Sequence, residues 1–332
     1  MTETLVGAKV LVTGADGFIG SHLVERLVAA GAEVTALVYY NSWNSVGWLG
    51  DVPADVRSAV DVRGGDVRDG EHMRALCAGK DYVFHLASLI AIPYSYDAPR
   101  SYVETNVIGS MNVAEACRTH GVRRMIQTST SETYGTAQMV PIPESHPLVG
   151  QSPYSASKIA ADKMIESYHR SFGLPVVTAR PFNTFGPRQT ARAVIPTIAS
   201  QLIAGKERLK LGDLSPTRDF NFATNTADGM IALALCPAAE GEVVNIGSGG
   251  EWSIGETVDM LMEITGRTVP VETEQQRIRP EKSEVHRLVC DSRRLRELTG
   301  WAPAVDFRQG LEKTVAWIEK NLDRFDPDRY AI

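Results

Sequence analysis

The chain has 332 residues, 43% of them hydrophobic and 22% charged. That length predicts about two domains, and the composition excludes disordered, fibrous and peptide-module classes. The 34 basic and 40 acidic side chains leave a formal charge of -6, which excludes the broad basic surface of a nucleic-acid binder. Cys77, Cys117, Cys236 and Cys290 form no CxxC pair, so neither a disulfide framework nor a metal site is expected. No run reaches the roughly 18 apolar residues that span a bilayer, and the first residues lack the order of a secretion signal. The expectation is a cytoplasmic protein with no nucleic-acid or membrane partner.

Val10-Leu11-Val12 reads as a first buried strand. Ile19, Leu23, Val24, Leu27 and Val28 then recur at helical spacing as far as Gly31, the expected C-terminal cap. Strands are predicted over Val34 to Val38, just before Asp66, and over Asp81 to Leu86. A helix near Val107 to Thr119, a strand from Arg124 to Ser129, a helix over Pro153 to Phe172 and a strand over Pro175 to Arg180 follow. Such alternation marks βαβ units, so the fold class is α/β, a doubly wound parallel sheet of Rossmann type. From Pro181 the loops fill with Gly, Pro and Arg, and a smaller α/β substrate lobe begins. Ala227 to Leu235 and Val243 to Ile246 read as a helix and a strand that return to the first sheet. The expected division is residues 1–180 with about 219–250 for the first domain, and about 181–218 with 251–332 for the second.

Gly14, Gly17 and Gly20 form GxxGxxG between the first strand and the first helix. Glycines allow the sharp turn and close backbone approach that a pyrophosphate needs, and the helix N-terminus attracts its charge. Gly14, Gly17, Phe18, Ile19 and Gly20 are therefore the expected dinucleotide cradle; a tight βα turn without ligand is the plainer reading of a glycine triplet. Where many NAD folds place a ribose-binding acid stands Val38, followed by Tyr39, Tyr40 and Asn41. No Arg or Lys lies between Tyr39 and Gly50 to meet a 2′-phosphate, which favours NAD over NADP. Asp66 and Val67, after the third strand, are placed to meet an adenine amine, although an isolated Asp there is more often a turn residue.

Ser152-Pro153 writes a helix start, N-cap then first helical residue. Tyr154 and Lys158 are then one turn apart on one face. An ammonium beside a phenol, with the cationic ring of an oxidised nicotinamide, favours phenolate and makes Tyr154 a base for an alcohol proton. The bland reading of YxxxK is a solvated pair on an amphipathic helix; the upstream phosphate loop and Thr128-Ser129-Thr130 argue against it.

Taken in order, these motifs resemble the extended short-chain dehydrogenase/reductase family, in its branch of nucleotide-sugar epimerases and dehydratases. His85-Leu86-Ala87-Ser88, Asn106, Asn183 with Gly186-Pro187-Arg188, and Arg218-Asp219-Phe220 complete the set. The resemblance implies bound NAD held also by Asn41, Leu86, Ala87, Ser88 and Asn106. It implies Tyr154 as base at the sugar C4 hydroxyl, Lys158 on the ribose, and Thr130 on the C4 oxygen. Ser88, Asn183, Val194, Arg218 and Arg279 are the implied substrate contacts. It also implies a homodimer pairing the Val107 to Thr119 and Pro153 to Phe172 helices as a four-helix bundle.

After C4 oxidation the 4-keto sugar can epimerise, lose water across C5 and C6, or lose a C6 carboxylate. Thr130-Ser131-Glu132 stands where hexose 4,6-dehydratases typically carry Thr-Asp-Glu: the base Glu132 is present and the acid is replaced by Ser131. That leans toward elimination, while UDP-glucuronate decarboxylases share Thr-Ser-Glu. The wording around residues 129–137, 150–158, 182–189 and 277–285 is similar to nucleotide-activated N-acetylglucosamine 4,6-dehydratases of the legionaminic-acid type. A 4-epimerase or 5,6-dehydratase stays open. A dinucleotide-sensing protein without activity is disfavoured, because Tyr154 and Lys158 are both retained.

Overall fold

The structure, a computed structural model, describes residues 4–277 and 285–328. Seven strands build its main sheet: β1 (Lys9–Thr13), β2 (Glu33–Tyr39), β3 (Asp61–Gly65), β4 (Tyr82–His85), β5 (Arg124–Thr128), β6 (Val176–Pro181) and β7 (Val243–Ile246). All pairings are parallel, in the order β7-β6-β5-β4-β1-β2-β3. Strands β4 and β6 are buried along their whole length, so neither alternates buried with exposed positions, and His85, Thr178 and Arg180 lie in the interior. The chain winds outward from β1 to β3, then crosses to β4. The reversal opens a crevice between the carboxyl ends of β1 and β4, where ligands of doubly wound sheets bind.

Helices α1 (Phe18–Ala29), α2 (Gly70–Cys77), α3 (Gly109–His120), α4 (Pro153–Phe172), α5 (Val194–Ile203) and α6 (Ala223–Ala234) follow in chain order. Leu23 and Leu27 of α1 share one sheet face with Met230 and Leu233 of α6. Met73, Val113, Cys117 and Ile165 of α2, α3 and α4 cover the other. Helix α1 ends at Ala29 with Ala30 as its C-cap, one residue before the expected cap, and Gly31 follows at φ 82°. Helix α3 starts later than its apolar spacing suggests, because Val103–Ile108 forms a wider π turn that seats Asn106 inward.

A second core lies beyond β6. Phe185, Phe220, Phe222 and Phe307 pack ring on ring there with α5, α7 (Ile254–Thr265) and the later helix α9 (Phe307–Lys320). Two stretches lie in the core opposite to the one their chain position suggested. Phe220 and Phe222 pack in the second core, since their strand pairs with Asn183–Phe185. Leu295 of α8 (Arg293–Thr299) and Trp301 complete the first, because Trp301 Nε1 donates to the Asn225 carbonyl on α6 at 3.2 Å. Among the described residues no helix is long and apolar enough to cross a membrane.

Candidate active site

The glycine loop sits at the crevice. Gly14 adopts φ 67°, and a Cβ there would lie 2.7 Å from the Ala87 nitrogen; a Cβ on Gly20 would lie 2.1 Å from the Gly14 carbonyl oxygen. Only glycine allows this approach of loop, helix and β4. Gly17 is the N-cap of α1, which has no capping side chain and no acid in its first turn. The open N–H groups of that first turn, at Phe18 and Ile19, suit a pyrophosphate. Asp16 braces the loop: its carboxylate accepts the Tyr39 N–H at 3.1 Å, and burial raises its pKa against that hydrogen bond.

Beyond β2 the ring of Tyr39 is 59% exposed. Asn41 spends its amide on its own loop, donating to the Tyr39 and Ser45 carbonyls and accepting from Trp43 and Ser45 N–H. Its side chain thus shapes the loop that follows β2. Asp66 faces a cleft of about 390 Å³ with Arg68, Asp69, Glu104 and Ile108. Its carboxylate is held by the Arg68 guanidinium, which lowers its pKa. Val67 is buried beside it, its carbonyl accepting from Asn112 at 3.0 Å.

After β4, Leu86, Ala87 and Ser88 run along the crevice. Thr13 O accepts the Leu86 N–H, and Thr13 Oγ1 accepts that of Ala87 while lying 2.7 Å from His85 Nδ1. His85 Nε2 lies 3.0 Å from Ser110 Oγ, which donates to the Asn106 carbonyl. Ser110 has spent its proton, so His85 donates from Nε2 and accepts at Nδ1. It is neutral, its pKa pulled to about 3 by burial and then by the Lys158 charge. Both amide N–H groups of Asn106 are used, on the Leu89 carbonyl and on Ser157. Asn106 therefore ties the segment after β4 to α4.

Helix α4 opens on a reciprocal cap between Ser152 and Ser155 with Pro153 at its first position. This local device aims Tyr154 and Lys158 into the site, and both are buried. Lys158 Nζ donates to the Thr128 carbonyl at 2.6 Å; burial lowers its pKa to about 8, opposed by the charge of Asp162. Burial raises the Tyr154 pKa, opposed by a hydrogen bond with Thr130 and reinforced by the charge of Glu132. Thr130 Oγ1 also caps the short turn Ser131–Tyr134 by accepting the Glu132 N–H at 3.2 Å. Thr130 thus contacts both the Tyr154 phenol and the turn that carries Glu132, and Ser131 on that turn is buried.

On the second lobe, Asn183 Nδ2 is buried without a partner. Val194 begins α5. Arg218 is 9% exposed and donates to the Thr217 carbonyl at 2.9 Å. Arg279 lies outside the described residues. Two clusters were not anticipated. Arg188, buried at φ 69°, forms a bidentate pair with Glu25 and meets His22 Nδ1 at 2.7 Å, joining α1 to the loop after Asn183. Asp162, one turn beyond Lys158, pairs with buried Arg180 at 2.8 Å; its spacing from Tyr154 and Lys158 was the available signal.

Residues 11–314 match the family model described as GDP-mannose 4,6 dehydratase. The dTDP-glucose 4,6-dehydratase of Streptomyces griseus is 35% identical over 322 residues, covering 96% of each chain. The UDP-glucose 4-epimerase of Mycolicibacterium smegmatis is 34% identical over 312 residues, 92% of this chain and 97% of the relative. Among solved structures, DesIV, a dTDP-glucose 4,6-dehydratase from Streptomyces venezuelae with NAD bound, superposes with a TM-score of 0.84 at 30% identity, covering 96% of this chain and 99% of its own.

Proposed function

Since this chain belongs to the GDP-mannose 4,6-dehydratase family, whose relatives are nucleotide-sugar dehydratases and epimerases, we propose that it is an NAD-dependent nucleotide-sugar 4,6-dehydratase. The observation that carries this reading is the Glu132 carboxylate on the turn capped by Thr130, close enough for its charge to act on Tyr154. The chain is an enzyme of this class, and its residues fit NAD: the glycine cradle and uncapped α1 suit the pyrophosphate, and Lys158 suits the nicotinamide ribose. NAD, when bound, supplies the hydride acceptor for C4 and later donor for C6, and a cationic ring that offsets the cost of a buried phenolate.

The protein's own groups do the rest. Tyr154 takes the C4 hydroxyl proton while Thr130 holds that oxygen. Glu132 takes the C5 proton, made acidic by the adjacent ketone, and gives it to the departing C6 hydroxyl on the same face, so that water leaves and a C5–C6 double bond forms. Ser131, a poor acid, orients that hydroxyl. Asn183 and Arg218, with Ser88 and Val194 along the cleft, receive the diphosphate and sugar, and Arg279 is assigned to the nucleotide. The similarity around residues 129–137 and 150–158 supports an N-acetylglucosamine-type sugar of the legionaminic-acid branch. The four free thiols support a reducing cytoplasm.

The second reading, 4-epimerisation, is favoured by the epimerase relatives at comparable identity. A panel of nucleotide sugars incubated in deuterium oxide separates the two. Dehydration gives a product lighter by one water with deuterium at C5; an unchanged mass and a C5 free of deuterium overturn the dehydratase and establish the epimerase.

A further inference from the structure

Asp162 has no part in the chemistry above, yet it is 4% exposed on the face of α4 that carries Tyr154 and Lys158. Its Oδ2 accepts the Ser129 hydroxyl at 2.5 Å and Arg180 Nη2 at 2.8 Å, while its buried Oδ1 has no partner. The Arg180 guanidinium lies 4.7 Å over the ring of Tyr134, whose hydroxyl donates to Asn245 at 2.7 Å. Asp162 is therefore tied to the residue before Thr130 and, through Arg180, to the residue two beyond Glu132.

We infer that Asp162 and Arg180 are a positioning pair for the Tyr154–Lys158 site: Asp162 keeps Lys158 an ammonium, and Arg180 confines the Asp162 field so that it does not oppose ionisation of Tyr154. Lys158 donates to a neutral carbonyl, that of Thr128, and burial disfavours the charge on such an amine. The other groups around it are neutral His85 from β4, Tyr154 on its own helix with Tyr102 packed on that ring, Glu132 beyond Tyr154, and Arg180 from β6 behind Asp162. Asp162 is one turn from Lys158 and two from Tyr154, so the paired carboxylate and guanidinium act as a short-range dipole felt most by the lysine. Burying a charged pair is costly, and a role in tuning a third group gives this one a reason to exist.

The inference rests on Tyr154 and Lys158 as the acid–base pair, but its test uses neither substrate nor turnover. In cofactor-free protein, competitive acetylation of Lys158 from about pH 6 to 10, read by peptide mass spectrometry, gives its protonation midpoint. Asp162→Asn is expected to lower that midpoint by about one pH unit, making Lys158 roughly fivefold more reactive at pH 7. Arg180→Gln raises it, and the double variant Asp162→Asn/Arg180→Gln falls back below Arg180→Gln by about one unit. A purely structural pair gives the opposite sign for Asp162→Asn, because loosened packing hydrates Lys158 and moves it toward an ordinary lysine. Should Asp162→Asn not fold, the comparison of Arg180→Gln with the double variant decides. An unchanged or raised midpoint in Asp162→Asn, or equal midpoints in the latter two, overturns the inference. Failure of the dehydratase reading shows in product mass and leaves these midpoints where they are.

Discussion

Tyr154 and Lys158 stand one helical turn apart, both buried, with the lysine ammonium held 2.6 Å from the Thr128 carbonyl at the end of β5. The strand end thus fixes the lysine and the helix cap fixes the tyrosine, so neither side chain has to be ordered when a sugar arrives.

Removing only the phenolic oxygen isolates its role. Tyr154→Phe keeps the ring contact with Tyr102, whose centroid is 6.2 Å away, so the variant is expected to fold and retain NAD while turnover falls on the order of 10²- to 10⁴-fold. Single-turnover absorbance of reduced nicotinamide checks this, and near-normal rates would remove Tyr154 from the base role.

Lys158 costs stability where it serves chemistry. Its folded pKa of about 8 lies below the ordinary lysine value of 10.5, so between those values the unfolded chain carries a proton that the folded one lacks, and stability rises with pH across that window. At pH 7 the penalty is about 3 kcal/mol. Lys158→Met escapes it but strands the Thr128 carbonyl, at a cost of about 1–2 kcal/mol. The variant should melt a few degrees higher at pH 7, lose that advantage by about pH 10, and be inactive. A calorimetric melt lower than wild type at pH 7 contradicts this.

Two neutral histidines set the acid limit. His22, with a pKa of about 4 from burial and then the Arg188 charge, and His85, at about 3, both lie below the ordinary 6.5. As pH falls from 6.5 to 4 the unfolded chain takes up two protons that the folded chain refuses. Together they remove about 2.7 kcal/mol of stability per pH unit, to which carboxylates add their own dependence. Urea unfolding across that range should show the loss, and His85→Gln should remove about half of the histidine part. An unchanged slope would show His85 protonated in the fold.

Gly20→Ala would put a methyl 2.1 Å from the Gly14 carbonyl oxygen. Backbone on both sides cannot yield without opening the loop, so NAD affinity should fall at least about tenfold, about 1.4 kcal/mol, in a fluorescence titration. Wild-type affinity would mean that the cradle lies elsewhere.

The dimer implied by family resemblance is proposed for the face where Val103 and Ile108 of the π turn and Phe172 of α4 are 51%, 40% and 58% exposed. Light scattering at micromolar concentration should give twice the chain mass, and Ile108→Glu with Phe172→Glu should halve it. A monomeric wild type contradicts the pairing.

What could be read from the sequence was local. Ser152-Pro153 specifies a helix start because cap and first residue are neighbours, and GxxGxxG specifies its turn because its glycines answer one another within seven residues. Arg188 was invisible as a partner of Glu25 because 163 positions separate them. Asp162 shares the helical spacing of Tyr154 and Lys158, but its partner Arg180 arrives only with β6, 18 residues on. Asn41 was given to the cofactor by similarity, and its motif gave no sign that its amide also closes the loop from Tyr39 to Ser45.

The order β7-β6-β5 has a consequence for synthesis. Strand β6 ends at Pro181, but its outer neighbour β7 begins at Val243, after the chain has crossed into the second lobe and returned through α6. On the ribosome, at roughly 5–20 residues per second, β6 waits several seconds as a bare edge of unpaired amides before its partner emerges. That interval is when the nascent chain is most open to pairing with another copy of itself, and when a chaperone bound there does most to raise the yield of native protein.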